Sequence, residues 1–403
     1  MKSDGSDLEG DSMRTLIELY DERPIENVLA SEVFRPERTV YLCPEEVARD
    51  TSLQKKLKGY FHRCGLDTEL VFLESDLYDS GRILQQLRGV AGTYDGCTLD
   101  ITGGTDAALF ACGQLAAMTD IPAFTYARRS NSFYNIHNAP FADHLPCTVQ
   151  HTVEDCFLMA GGAMREGRVD NAVLDRYIGK FDGFFRIYLR YRTDWTRIVK
   201  YFQVVSQTAK GQPIPLEISA PLTVKGERGA KVSVCMECLR ELEKLGFLSG
   251  VELNRDKVRF AFRDHQIRTW LRDIGSVLEL YVYKACRDAG LFNDVRTSAV
   301  VDWEGSRRQD SVTNEIDVMA MQGILPAFIS CKTCEVSTEA LNELAILRDR
   351  FGGHGARAAI VTAKNCSGIT RHRASELGID VIDLNDLKAG RIGEHLRTMM
   401  RQK

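Results

Sequence analysis

Residues 314–332 read NEIDVMAMQGILPAFISCK, two apolar runs interrupted at a glycine, each with polar side chains two positions apart. Successive side chains alternate faces along a strand, so Glu315 and Asp317 share one face of the first run, and Ser330 and Lys332 share one face of the second. Gly323 and Pro326 bracket a short turn between the runs. Paired as a hairpin, the runs would set a carboxylate pair able to hold a divalent cation beside a lysine able to orient water or neutralise a phosphate. The same pattern would also suit a sheet edge carrying solvated charges.

A chain of 403 residues exceeds one ordinary core, and at about 150 residues per domain it divides into two or three. No apolar run approaches the roughly 18 residues that span a bilayer, so neither a membrane segment nor a signal peptide is expected. The first twelve residues, MKSDGSDLEGDS, are small and acidic and read as a disordered leader. A net charge of −4 argues against a broadly basic surface, so any contact with nucleic acid is expected to be local and transient. The twelve cysteines are scattered, mostly in apolar contexts such as Cys43, Cys97, Cys112 and Cys286, which suggests reduced thiols in a cytoplasm. Two C-x-x-C pairs, Cys235 with Cys238 and Cys331 with Cys334, stand too far apart for a zinc ribbon.

From Thr39 to about Gln150, strands (TVYLC, ELVFLES, CTLDI, IPAFTY) alternate with helices ending near Leu57, Leu87 and Met118. That order predicts a doubly wound, parallel α/β sheet, closed by a return hairpin around 133–138. The domain is bounded at 36–150, with the leader and a first element in 1–35. Residues 151–263 change character, with helices at roughly 152–166, 170–178 and 184–209, a Pro-rich break at Gln212-Pro-Ile-Pro, a helix over 232–245 and a hairpin turning near 254–256. This is the outline of a winged helix, which either contacts DNA or bridges two working domains. Between Phe181 and Phe202 aromatic and basic residues alternate, but positions 184, 188, 191, 195, 198 and 202 recur at helical intervals and predict one buried stripe. Residues 264–403 form a further α/β domain: one long helix to about Ala289, a strand near 294–301, the acidic and lysine strands, then helix 338–350, strand 356–362, helix 367–377 and strand 378–382.

The long helix carries Glu279 among Val277, Leu278, Leu280, Val282 and Tyr283. A carboxylate in that setting needs a partner, either a divalent cation or an arginine such as Arg296. This order of elements and residues resembles the PD-(D/E)xK, restriction-endonuclease-like superfamily over 264–403. The resemblance implies metal-dependent hydrolysis of phosphodiester bonds. Its helix glutamate falls on Glu279, its strand aspartate on Asp317 and its lysine on Lys332, while Ser330 stands where an acidic residue is usual. Glu315 faces the same way as Asp317 and can restore the missing charge, and the Ser330 hydroxyl and the Cys331 carbonyl are further oxygen ligands. Carboxylates, carbonyls and water suit Mg²⁺ or Mn²⁺. The cation would polarise the phosphoryl oxygen and acidify bound water, with Lys332 stabilising developing charge.

At the other end, LDITGGTDAAL is a strand, a glycine pair and a helix start. Gly103 and Gly104 let backbone approach a ligand, and Thr105 or Asp106 can cap the helix. The loop is neither a Walker A nor a G-x-G-x-x-G sequence, and a tight structural turn would read the same way. Set in a doubly wound domain, Thr102, Gly103, Gly104 and Thr105 resemble the ligand loop of CARF domains, which sense cyclic oligoadenylates across a two-fold dimer interface. Cys43-Pro44 and residues 130–134 are further candidate contacts. Together the two halves resemble the CRISPR ancillary nucleases of type III systems. That resemblance implies a homodimer in which cyclic tetra-adenylate, or cyclic hexa-adenylate, switches on cleavage of DNA or RNA without sequence preference. Two other readings remain: a ligand-responsive transcription regulator that uses the winged helix and has an inactive C-terminal domain, and a repair nuclease that binds an ordinary nucleotide.

Overall fold

The computed structural model describes residues 13–21, 24–165, 171–207, 214–226, 229–305, 311–353 and 355–401. The acidic leader and Pro213 of the Pro-rich break lie outside the described residues.

The first sheet has seven strands, β1 (Thr15–Leu19), β2 (Arg38–Cys43), β3 (Glu69–Glu74), β4 (Cys97–Asp100), β5 (Ala123–Ala127), β6 (Ser132–His137) and β7 (Leu145–Pro146), in the order β3-β2-β1-β4-β5-β6-β7. The five from β3 to β5 run parallel, and β6 and β7 return antiparallel as the predicted hairpin. The central strand of these parallel five is β1, which lies ahead of the expected domain start at residue 36. It is buried on both faces, so its sequence TLIEL shows no alternation, and Glu18 interrupts its apolar run. Direction reverses about β1, and the crevice above its carboxyl end, between β2 and β4, is where open α/β sheets bind ligands.

Residues 151–164 join the C-terminal sheet rather than the middle segment. Helix Val153–Met159 buries Val153, Cys156 and Phe157 against that sheet, and β8 (Ala163–Met164) forms its edge strand. The middle segment holds helices Phe181–Tyr191 and Trp195–Val205, which share the buried aromatic stripe. The expected single helix is broken at Arg192–Asp194. Strands β9 (Glu217–Pro221), β10 (Thr223–Lys225), β11 (Lys231–Ser233), β12 (Leu248–Asn254) and β13 (Lys257–Phe262) follow, with helix Met236–Leu245 before the β12–β13 wing.

The long helix expected from Asp264 is two helices, His265–Leu271 and Ser276–Asp288. The Asp273 carboxylate accepts from Ser276 N at 2.7 Å and Ser276 Oγ at 2.9 Å, starting the second helix afresh. Strands β14 (Asp294–Asp302), β15 (Thr313–Gln322), β16 (Leu325–Lys332), β17 (Arg357–Thr362) and β18 (Ile379–Ile382) complete a sheet ordered β18-β17-β16-β15-β14-β8. Beyond the predicted elements, helices Leu384–Lys388 and Ile392–Arg401 add Leu387, Ile392, Leu396 and Met399 to a core that continues through Leu278 and Val282 to Trp270 and Phe184. Helix Ser276–Asp288 is thereby held between the C-terminal sheet and the middle segment. No helix among the described residues is long and apolar enough to cross a membrane.

Candidate active site and ligand pocket

Strands β15 and β16 pair as the predicted hairpin, with Gly323 at a φ of 60° in the turn. Their ladder runs from Gln322↔Leu325 to Val318↔Ile329 and stops there. Beyond that point a side chain takes over. Asp317 Oδ2 accepts from Cys331 N at 2.6 Å and from Ser330 Oγ at 3.1 Å, and Lys332 Nζ stands 3.7 Å from it. Where an acid at 330 would face Asp317 as a like charge, Ser330 donates a hydrogen bond to it instead.

Glu279 projects from the first turn of helix Ser276–Asp288 into the same cleft. Burial, then the charges of Asp317, Asp273 and Glu315, push its carboxyl up to about 8, against the opposing pull of Lys332. Burial also raises Asp317, which Lys332, Cys331 N and Ser330 pull back down. Arg296, the alternative partner for Glu279, pairs with Asp294 at 3.1 Å. Gly275 leaves this position open, since a Cβ there would fall 2.7 Å from Glu279 Oε1 and the carboxyl would have to shift.

The cleft has a volume of about 280 Å³ and is lined by Glu279, Glu315 and Asp317 together with Asp273, Thr297 and Ser298. No three His, Cys, Asp or Glu side chains among the described residues converge into a metal cluster, so the carboxylates line the cleft without closing on one point. The donor chemistry still fits a hard divalent cation that keeps several waters and uses one or two carboxylates. A cation would also relieve the mutual repulsion that raises Glu279. Two features escaped the sequence reading. Ser298 lies in the left-handed region at a φ of 51° inside β14, and Thr297 Oγ1 donates to the Asp317 carbonyl at 2.9 Å. Non-glycine residues hold such backbone at a cost of about 1–3 kcal/mol, typically where a site fixes them.

The second cavity, about 1000 Å³, opens over the carboxyl ends of β1 to β3 and the TGGT loop. Gly104 and Thr105 line it, as does Pro44, whereas residues 130–134 do not. Thr102 is turned inward: its hydroxyl donates to Asp100 and accepts from Tyr126 N at 2.8 Å. Thr105 caps helix Asp106–Met118 through Ala108 N at 3.3 Å, and its hydroxyl donates to the Leu77 carbonyl. The glycines face Asp21. Its carboxylate lies 3.5 Å from Gly104 N, and a Cβ on Gly103 would come within 2.9 Å of it. The sequence reading missed the end of β3 and the segment after it, which contribute Glu74, Asp76, Tyr78 and Arg82. It carries no motif, and only the parallel pairing of β2 and β3 brings it to the loop.

Residues 267–403 match the family model described as Card1-like, endonuclease domain. That span includes Glu279, Glu315, Asp317, Ser330 and Lys332. The chain matches no curated protein sequence. Its structure is similar to that of protein VC1899 from Vibrio cholerae, with a TM-score of 0.73 and 16% identity over 96% of this chain and 98% of the other. It is also similar to Can2 from Sulfobacillus thermosulfidooxidans in complex with cyclic tetra-adenylate, with a TM-score of 0.68 and 16% identity over 97% and 98%. At this identity the likeness establishes the fold, and it runs through all three segments of the chain.

Proposed function

We propose that this chain is a cyclic-oligoadenylate-activated, metal-dependent endonuclease of type III CRISPR antiviral defence, acting in the cytoplasm as a homodimer on DNA or RNA. The observation that carries the reading is the presence, on one chain, of a large cavity over a glycine loop and a carboxylate cleft within a domain that matches an endonuclease family. Cyclic tetra-adenylate is the activating ligand in this reading, since the structurally similar Can2 is described in complex with it.

Glu279 and Asp317 would hold Mg²⁺ or Mn²⁺, with Glu315 and the carbonyl of Cys331 at its margin. When bound, such an ion supplies Lewis-acid activation of phosphate and water. The chain's own groups do the positioning. Ser330 and the N–H of Cys331 fix one oxygen of Asp317, leaving the other for the ion. Lys332, 3.7 Å from Asp317, brings the positive charge that the phosphoryl oxygens gain from in the transition state. Burial and the neighbouring carboxylates push the Glu279 carboxyl up to about 8, and a bound cation would favour its ionised form. The regulator reading gains little, because the helix before the wing carries Glu237, Glu241 and Glu243 against Arg240 and Lys244, a poor face for phosphate.

The test is cleavage of labelled single-stranded DNA and RNA with and without Mg²⁺ or Mn²⁺ and cyclic tetra-adenylate. Cleavage should require both additions. Asp317→Asn and Lys332→Ala should each lower it at least about a hundredfold while leaving ligand affinity unchanged. Full activity in both variants would refute the site, and ligand-independent cleavage would refute the switch.

A further inference from the structure

Tyr78 is 82% exposed, and among the described residues it is the one exposed large hydrophobic side chain that lines the cavity over the glycine loop. Its position is fixed although its ring is free. Asp76 Oδ1 accepts from Tyr78 N at 3.0 Å, Asp79 caps the helix that follows through Arg82 N at 3.0 Å, and the preceding carbonyl, that of Leu77, accepts the Thr105 hydroxyl. The segment bearing the ring is thus tied to the TGGT loop itself.

The charges around it are the reverse of what a polyanion would choose. Asp21, Glu45, Glu46, Glu74 and Asp76 line the cavity, and Arg82 is the single basic residue among its lining. Arg49 outside it pairs with Glu45 and Glu74, which leaves the lining without an excess of positive charge. Affinity for a phosphate-bearing ring cannot come mainly from Coulomb attraction here, so the bases must contribute. A ring held at a fixed backbone and open to solvent is suited to stack on one.

We infer that Tyr78 is the base-recognition residue of this cavity, its ring stacking on a purine of the ligand while the Arg82 guanidinium, which lines the same cavity, faces the phosphates. The inference rests on the ligand reading proposed above and assigns the part of the ligand that this chain recognises.

Calorimetric titration of the full chain with cyclic tetra-adenylate, and separately with cyclic tetra-uridylate, tests it on wild type, Tyr78→Ala and Tyr78→Phe, with light scattering to follow oligomeric state. Tyr78→Ala should weaken adenylate binding about tenfold or more, Tyr78→Phe should retain it, and wild type should prefer the purine ring. Unchanged affinity in Tyr78→Ala, equal losses in both variants, or a change of oligomeric state in Tyr78→Ala would overturn the inference alone. Absence of adenylate binding by wild type would instead overturn the ligand reading, and the role of Tyr78 with it.

Discussion

Glu18 and Asp100 are register partners on neighbouring parallel strands, each 2% exposed, so two carboxyls face each other in the middle of the first sheet. Burial raises both; Asp100 is pushed up to about 7 despite the N–H and hydroxyl of Thr102, with Glu26 adding to the rise, and Glu18 rises further under the charges of Asp100, Glu26 and Asp21. The ordinary value for Asp100 is 3.8, so between 3.8 and about 7 the folded chain holds a proton that the unfolded chain has lost. Stability contributed by that proton is therefore present at low pH and fades as pH rises through about 7. Asp100→Asn, whose amide oxygen can still accept from Thr102, should raise Tm at pH 8 and converge with wild type toward pH 4. Scanning calorimetry across that range checks it, and a pH-independent gap would assign the effect to packing.

At the scale of elements, the decisive feature is the restart of the helix at Ser276. Gly275 leaves room for the Glu279 carboxyl, and a methyl there would force that carboxyl out of its present position. Gly275→Ala is expected to slow cleavage by about tenfold or more while ligand affinity and Tm hold nearly constant, measured by single-turnover rates beside thermal melts. Sequence reading found the two strands around Gly323 and the TGGT turn because their signals are local: alternation of faces, a glycine at positive φ, a strand running into a helix. It extended the helix through Arg272–Gly275 because the apolar period crosses the break, while the Asp273 hydrogen bonds that restart the helix have no periodic signature. It placed β1 outside the first domain because Glu18 breaks its apolar run, and it passed over β8, two residues long, whose pairing with β14 is entirely tertiary. Tyr78 and Ser298 were invisible for the same reason, since exposure in a cavity and a left-handed φ are properties of the assembled fold.

At the scale of the molecule, the first sheet and the C-terminal sheet meet at His151. Its Nε2 lies 2.9 Å from Glu32 Oε1, which also accepts from Tyr60 at 2.8 Å. Its backbone N–H donates to Gly323 at 3.0 Å, and its carbonyl accepts from Asn293 at 2.8 Å. One buried residue thus links the helix after β1 to the turn of the acidic hairpin, and Lys56, donating to the Gly161 carbonyl at 2.8 Å, adds a second tie. His151→Ala should cut ligand-stimulated cleavage about fivefold or more while unstimulated cleavage stays level, as comparison of rates with and without ligand would show. Helix Ile392–Arg401 packs beneath the helix that bears Glu279, and the Arg357 guanidinium donates to the Met399 carbonyl at 3.1 Å. The support for Glu279 thus lies more than a hundred residues further along the chain than the residue it supports. Removing the residues from 392 onward would therefore strip the packing from beneath Glu279 while leaving every residue that lines the first-sheet cavity in place.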